Sequence, residues 1–171
     1  MFRLWMIGAL SCLACTPEVS AMNTVLYLSL AAPANVVAGA PIPVTVSLGN
    51  GGAGAVWVNR RLLLNAVSAP APYRELWFDV TGPDGATRPF LCKVRAGPAS
   101  DTDYGTLPSG SAKKKEIDIG ECFDFSAPGT WHVVAHWADG STSPPGAPEG
   151  VAPARGPVDS APLTIEVHRG G

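Results

Sequence analysis

The sequence predicts an all-β fold, an antiparallel sandwich or barrel, from three observations. Apolar and polar residues alternate with a period of two in several short segments, as in strands with one buried and one solvent-facing side. Turn signals rich in glycine and proline separate these segments, and the 171-residue chain contains 19 glycines and 17 prolines. No long segment shows the amphipathic period of an α-helix.

Seven segments carry the strand pattern, and the alternation is clearest in residues 42–48, "IPVTVSL". The other six are 24–30, 55–58, 76–80, 115–119, 129–137 and 163–167. Their apolar sides define the predicted core, which comprises Val44, Val46, Leu48, Leu76, Phe78, Val80, Ile117, Ile119, Trp131, Val133, Leu163, Ile165 and Val167.

Two segments between the strand patterns need a separate interpretation. Gly49, Gly51 and Gly54 spell GxGxxG, but a dinucleotide site requires a helix next, and residues 55–58 have a strand pattern instead. We therefore interpret these glycines as a turn. Residues 139–162 are rich in proline, glycine and alanine, which predicts an exposed, largely irregular loop or a partly ordered insertion.

The chain begins with a segment typical of export signals. Residues 1–21 contain one basic residue, an apolar run as far as Cys15, and small residues up to Ala21. The run is shorter than the roughly 20 residues that span a bilayer as a helix. We expect a signal peptide at 1–21 and a single domain at 22–171 in a bacterial protein that is periplasmic or secreted.

A second interpretation of the leader keeps the protein at the membrane. The tripeptides that end at Cys12 and Cys15, "LSC" and "LAC", resemble the acylation motif of bacterial lipoproteins. In both, the leucine lies one position too close to the cysteine. A lipoprotein anchored at Cys12 or Cys15 therefore stays open as an alternative.

Two cysteines, Cys92 and Cys122, lie outside the leader. An exported protein meets an oxidising compartment, so we expect a disulfide between them. The alternative is two separately buried thiols.

The histidines at His132 and His136 raise the question of a metal site. On a helix, their four-residue spacing would bring both imidazoles to one ion, as in HExxH, but position 133 is Val and not Glu. Residues 129–137 are rich in residues that favour strands. On a strand, the two histidines would be about 13 Å apart, too far to share one zinc ion. We expect both to point outward from a strand; a site completed by His168 or by a loop carboxylate is the alternative.

The overall charge does not indicate binding to nucleic acid or to a membrane through a polybasic face. Twelve basic and 14 acidic residues give a net charge of −2. The run Lys113–Lys115 opens a predicted strand, where lysines discourage edge-to-edge pairing. A docking patch for an acidic partner is the alternative interpretation of this run.

No catalytic motif emerges from the sequence. There is no GxSxG and no convincing cysteine with a nearby histidine, and both cysteines outside the leader are better explained as a disulfide. Asp101 and Asp103 resemble a fragment of a calcium loop, but the remaining ligands at fixed offsets are missing. We expect no catalytic residue, cofactor or metal.

Several motifs resemble those of exported immunoglobulin-like domains. They are "AGAPIPVTVSLGNGGAGAVWVN" and "LPSGSAKKKEIDIGECFDFSAPGTWHVVAHW". The set "NRRLLLN", "DGATRPFLCK" and "APGTWHV" is similar to the non-catalytic domain of deuterolysin-like metalloproteases and to bacterial intracellular proteinase-inhibitor domains. The resemblance implies an immunoglobulin-like antiparallel sandwich of seven to nine strands. The HExxH helix of the metalloproteases has no counterpart here, so no zinc ligand is carried over.

These observations predict a non-catalytic exported binding or accessory domain with a protein partner. Inhibition of a protease is the specific form that the resemblance implies. We expect contacts in loops 96–107 and 139–161 and name Trp77, Asp101, Asp103 and Tyr104 as surface contacts. The alternatives are a carbohydrate-binding module, in which Trp77 would stack on a sugar, and an enzyme with a site that the sequence does not reveal.

Overall fold

A computed structural model describes residues 26–71, 73–95, 97–141 and 145–170 of the chain. The expected signal peptide, with Cys12 and Cys15, lies outside these residues. Within them, the only helical turns are two short 3-10 segments, Asp101–Asp103 and Ile119–Glu121, and there is no α-helix. Accordingly, the described part of the chain has no helix long and apolar enough to cross a bilayer.

The described residues form eleven strands. They are β1 (Leu26–Ala31), β2 (Asn35–Val37), β3 (Pro43–Asn50), β4 (Val56–Asn59), β5 (Leu76–Thr81), β6 (Tyr104–Leu107), β7 (Ala112–Asp118), β8 (Gly129–Trp137), β9 (Ala152–Pro153), β10 (Val158–Asp159) and β11 (Leu163–His168).

The strands form three sheets that pack as a sandwich. The first sheet is antiparallel, with the order β1-β3-β7. The second is built around β8, which pairs antiparallel with β5, β11 and β10, while β2 joins β11 in parallel. The third has the order β6-β4-β9, with β9 parallel to β4. The predicted all-β sandwich is therefore confirmed, with mostly antiparallel pairing.

The number of strands exceeds the predicted seven to nine. The seven segments with a strand pattern correspond to β1, β3, β4, β5, β7, β8 and β11. The four additional strands, β2, β6, β9 and β10, have two to four residues each. A strand of two or three residues, as in β2, β9 and β10, contains too few alternating positions to produce a period-two signal in the sequence. Two of them, β9 and β10, lie in 139–162, so this segment is partly ordered.

The core lies between the sheets, as the alternation predicts. Eleven of the thirteen predicted core residues are buried, and the other two, Ile117 and Leu163, are half-buried and pack against the same cluster. Additional core residues come from irregular segments, among them Leu62, Phe123 and Phe125. Their burial was not predicted because these segments lack alternation.

Strand β8 confirms the interpretation of residues 129–137. Trp131, Val133 and Trp137 are fully buried, while His132 is exposed and His136 is half-buried on the opposite side. Gly129 opens the strand with a φ of +130°, a conformation that favours glycine. A Cβ atom there would lie only 2.8 Å from the Pro83 ring, so the glycine also allows the turn that follows β5 to approach this strand closely.

Candidate functional site

Strand β7 is an open edge of the first sheet. Its seven residues pair with β3, and no other strand of the described chain pairs with it. Hydrogen bonds from Ile119 N to Ile42 O and from Asn50 N to Ser111 O show which residue pairs are hydrogen-bonded at the two ends of the pairing between β3 and β7. Hydrogen-bonded and non-hydrogen-bonded pairs alternate in antiparallel sheets. Lys114 and Glu116 therefore belong to the non-hydrogen-bonded pairs, and their backbone groups point away from β3.

A basic groove of about 490 Å³ lies beside the first half of this edge. It is lined by Arg60, Arg61, Thr102, Asp103 and Lys113–Lys115. Five of its seven lining residues are cationic, and they represent five of the 12 basic residues in the whole chain. In a chain of net charge −2, this groove is a local concentration of positive charge.

A second groove of about 320 Å³ continues along the other half of the same edge. Its apolar lining includes Leu63, Leu64, Phe90, Val94 and Ile117. The acidic residues Glu116, Asp118 and Glu121 and the basic residues Lys93 and Lys115 also border it, so the charge at this end is mixed and not predominantly basic. Lys115 lines both grooves, and we call the two together the β7 trough.

The lysines of β7 divide into two roles. Lys115 lies opposite Val46 on the inner side of the sheet, and its ammonium donates to the carbonyls of Arg61 and Leu62 at 3.4 and 3.1 Å. Burial lowers the pKa of this ammonium. Lys113 and Lys114 are exposed, and no acidic side chain of the described chain pairs with either. These two are therefore available to an incoming anion.

Arg61 is held in the groove wall by a buried carboxylate. Its guanidinium makes a bidentate ion pair with Glu75, whose side chain has no exposure to solvent. The same guanidinium donates to the carbonyls of Gly97 and Pro98 at 3.0 and 3.3 Å. The planar fork of arginine suits this combination of partners. Arg61 thus joins three chain segments and is already paired.

Arg60 contributes a second guanidinium from the neighbouring position. It donates to the carbonyl of Tyr104 at 3.3 Å and lies against Gly105, where a Cβ atom would overlap it. The glycine in β6 thus makes room for the cation at the groove.

The predicted surface contacts Asp101 and Asp103 lie in the turn beside the basic groove. Asp101 is exposed, and Asp103 lines the groove with one oxygen 3.9 Å from Arg61 Nη1. Asp103 also accepts hydrogen bonds from the amide and the hydroxyl of Ser100, at 2.8 and 2.9 Å. The bond from the Ser100 amide is the main cause of the lowered pKa of Asp103.

The structure corrects the prediction that Tyr104 is a surface contact. Its residue exposure is only 4%: the ring stacks beside Trp57 at 6.4 Å between centroids, and its hydroxyl donates to the carboxylate of Asp139, itself buried. Burial raises the pKa of both groups. The sequence suggested a surface position only because Tyr104 follows two aspartates in a polar loop.

The face of β8 that carries the histidines does not bring them together. His132 lies near Thr164, whose hydroxyl is 3.4 Å from its Nδ1, while His168 contacts Asn35. His136 lies between two carboxylates, with Nδ1 2.8 Å from Asp159 and Nε2 3.1 Å from Asp79. No cluster of three or more histidine, cysteine, aspartate or glutamate residues in the described chain is arranged to hold a metal ion.

Trp77, the predicted stacking residue, is half-buried on the same face. The imidazole of His136 stacks on it at 5.3 Å between ring centroids, with an interplanar angle of 13°. The Arg74 guanidinium also lies over the indole, at 5.1 Å from the centroid. The indole is therefore already in contact with two side chains of its own chain.

The predicted disulfide between Cys92 and Cys122 is present. It links two irregular segments of the chain, and the Cα atoms of the two cysteines are 4.8 Å apart. Both half-cystines line the second groove. The disulfide thus fixes the wall formed by residues 90–94 against the segment that follows β7.

Comparison with known proteins finds no family model that matches the chain and no curated protein similar to it in sequence.

Proposed function

We propose that this chain is an exported, non-catalytic binding domain that recognises an acidic surface of a protein partner. The observation that carries the proposal is the basic groove, in which five cations surround one end of an open edge strand. Lys113 and Lys114 supply the charge that is not already used within the chain, while Arg61 and Lys115 form the wall.

Charge complementarity favours an acidic partner over a neutral one. Positive charge concentrated in a groove accelerates the approach of an acidic surface and selects against basic proteins. Inhibition of a secreted protease is one specific form of this function, which the resemblance to proteinase-inhibitor domains suggests. Tight inhibition of one member of a panel of secreted proteases would support that form, whereas no inhibition across the panel would count against it.

The proposal is tested by site-directed photo-crosslinking in cells that export the protein. A photoreactive amino acid in place of Lys114 should capture a protein that the same amino acid in place of Thr164 does not, because Thr164 is exposed on the second sheet, away from the basic groove. The captured protein is then purified and its affinity measured by calorimetry. We expect Lys113→Glu/Lys114→Glu to weaken binding at least tenfold, whereas the matched variant Lys113→Arg/Lys114→Arg should bind normally. Identical crosslinks from both positions would overturn the proposal.

A further inference from the structure

We propose that the β7 trough takes an extended peptide segment of the partner as an additional strand of the first sheet. The segment carries acidic residues beside the basic groove and apolar residues beside the second groove. This inference rests on the proposed function and specifies how the partner is held.

The backbone of β7 provides the first argument. Lys114 and Glu116 direct their amide and carbonyl groups outward, and no backbone partner of either faces them within the described residues. An edge with unpaired, regularly spaced donors and acceptors is a template for a further strand. A peptide laid along this edge would repeat the spacing that β3 uses on the other side.

The course of the two grooves provides the second argument. The basic groove contains residues 113–115 of β7 and the second groove contains residues 115–118, so the trough follows the strand without a gap. Six strand residues extend over about 20 Å. A trough of this length and direction fits an extended chain better than a compact ligand.

The chemistry of the lining gives the third argument, because it changes along the strand. Lys113, Lys114 and Arg60 lie at one end, where carboxylates would be stabilised. Leu63, Val94 and Ile117 lie at the other, together with three acidic and two basic side chains, so that end is largely apolar and offers further carboxylates no excess of positive charge. The occupant is therefore acidic at one end only.

The lysines of β7 also explain why the edge does not pair indiscriminately. Lysines on an exposed edge oppose pairing with neutral or basic strands, since their charge would have to be desolvated without compensation. An acidic strand removes that obstacle. The protective role expected for Lys113–Lys115 and recognition of an acidic partner are thus two consequences of one feature.

The test uses a fluorescein-labelled synthetic peptide in which glutamates alternate with valines in one half and leucines alternate with threonines in the other. Two analogues are N-methylated, each on one of the two alternating sets of amides. Because a strand pairs through one set only, we expect one analogue to lose at least tenfold in affinity and the other to bind like the parent. A peptide with lysine in place of glutamate should not bind.

Variants of the protein test the same edge from the other side. Glu116→Pro removes an outward amide without breaking the ladder to β3, and we expect at least tenfold weaker binding. The matched variant Glu116→Ala keeps the amide and should bind as well as the wild type or better. Circular dichroism verifies that Glu116→Pro is folded.

The possible results separate the two proposals. Equal affinity of both N-methylated analogues would overturn strand addition. Failure of the parent peptide to bind would also overturn it. Either result would leave acidic-partner recognition standing if the crosslink from Lys114 and its loss in the Glu variants are observed.

Discussion

Arg61 and Glu75 form a bidentate ion pair that ties the segment after β4 to the start of β5. The carboxylate also accepts a hydrogen bond from the amide of Leu63 at 3.3 Å. The pair therefore fixes residues 61–64, which contact β7 through the Lys115 ammonium and contact the start of β5 through a bridge between Leu64 and Leu76. That chain forms one wall of the β7 trough, so a buried ion pair determines the geometry of an exposed site.

Removing the cation from this pair should strongly destabilise the protein. Arg61→Met leaves the fully buried Glu75 carboxylate without its counter-charge, and we expect a loss of about 3–5 kcal/mol in the free energy of unfolding. Urea denaturation measures the loss. The double variant Arg61→Met/Glu75→Gln should recover part of it. A double variant no more stable than Arg61→Met would contradict the assignment of the loss to an uncompensated charge.

The strands could be predicted where alternation is long enough to be recognised, as in β3 and β8. The disulfide could be predicted because Cys92 and Cys122 are the only cysteines outside residues 1–21, the segment expected to be a signal peptide. The trough could not. Arg60 and Lys113 are 53 positions apart in the sequence, and only the pairing of β7 with β3 and the path of the chain after β4 place both at one groove. Such proximity depends on long-range packing, which a local pattern does not encode.

Neutralising the single acid of the basic groove should improve anion binding. Asp103→Asn removes the negative charge, while its side-chain oxygen still accepts from the Ser100 amide. We expect the affinity for poly-L-glutamate to rise about two- to fivefold at low salt, consistent with one partly screened charge. Fluorescence titration measures the effect. As a control, Asp159→Asn removes a negative charge on the second sheet and should leave the affinity for poly-L-glutamate unchanged.

Asp139 should make stability fall as the pH rises. Burial raises the pKa of its carboxyl group in the folded protein, so the folded state binds more protons than the unfolded state between about 3.9, the ordinary value, and the raised value. The free energy of unfolding therefore falls as the pH rises through that range. Asp139→Asn should abolish this component while its side chain still accepts from Tyr104. Thermal unfolding across the window measures both proteins, and parallel pH profiles would disprove the assignment.

The disulfide should contribute substantially to stability. It joins residues 30 positions apart, and loop-closure entropy predicts about 3–4 kcal/mol from a bridge of that span. Cys92→Ser/Cys122→Ser should lose this amount in urea denaturation, and reduction of the wild-type protein should cause the same loss. The serine variant serves as the control for the reductant, to which it should be indifferent. Because both half-cystines line the second groove, the variant should also bind the acidic–apolar peptide more weakly.

Substitution of Gly105 should affect anion binding only by moving the Arg60 guanidinium. A Cβ atom at residue 105 would overlap the guanidinium, which is the flexible end of its side chain and can move aside at little cost. We therefore expect Gly105→Ala to leave the unfolding midpoint nearly unchanged but to weaken poly-L-glutamate binding about two- to fivefold, the effect of one displaced surface cation. Gly146→Ala, where a Cβ atom meets nothing within 4 Å, is the matched control and should have no effect.

A double-variant cycle distinguishes displacement of Arg60 from a general disturbance of β6. If the alanine acts only by moving the guanidinium, Gly105→Ala should cause no further loss of affinity in an Arg60→Ala background. An additive loss would mean that β6 itself has shifted. In that case the wall of the basic groove, and not the placement of one cation, would set the affinity for anions.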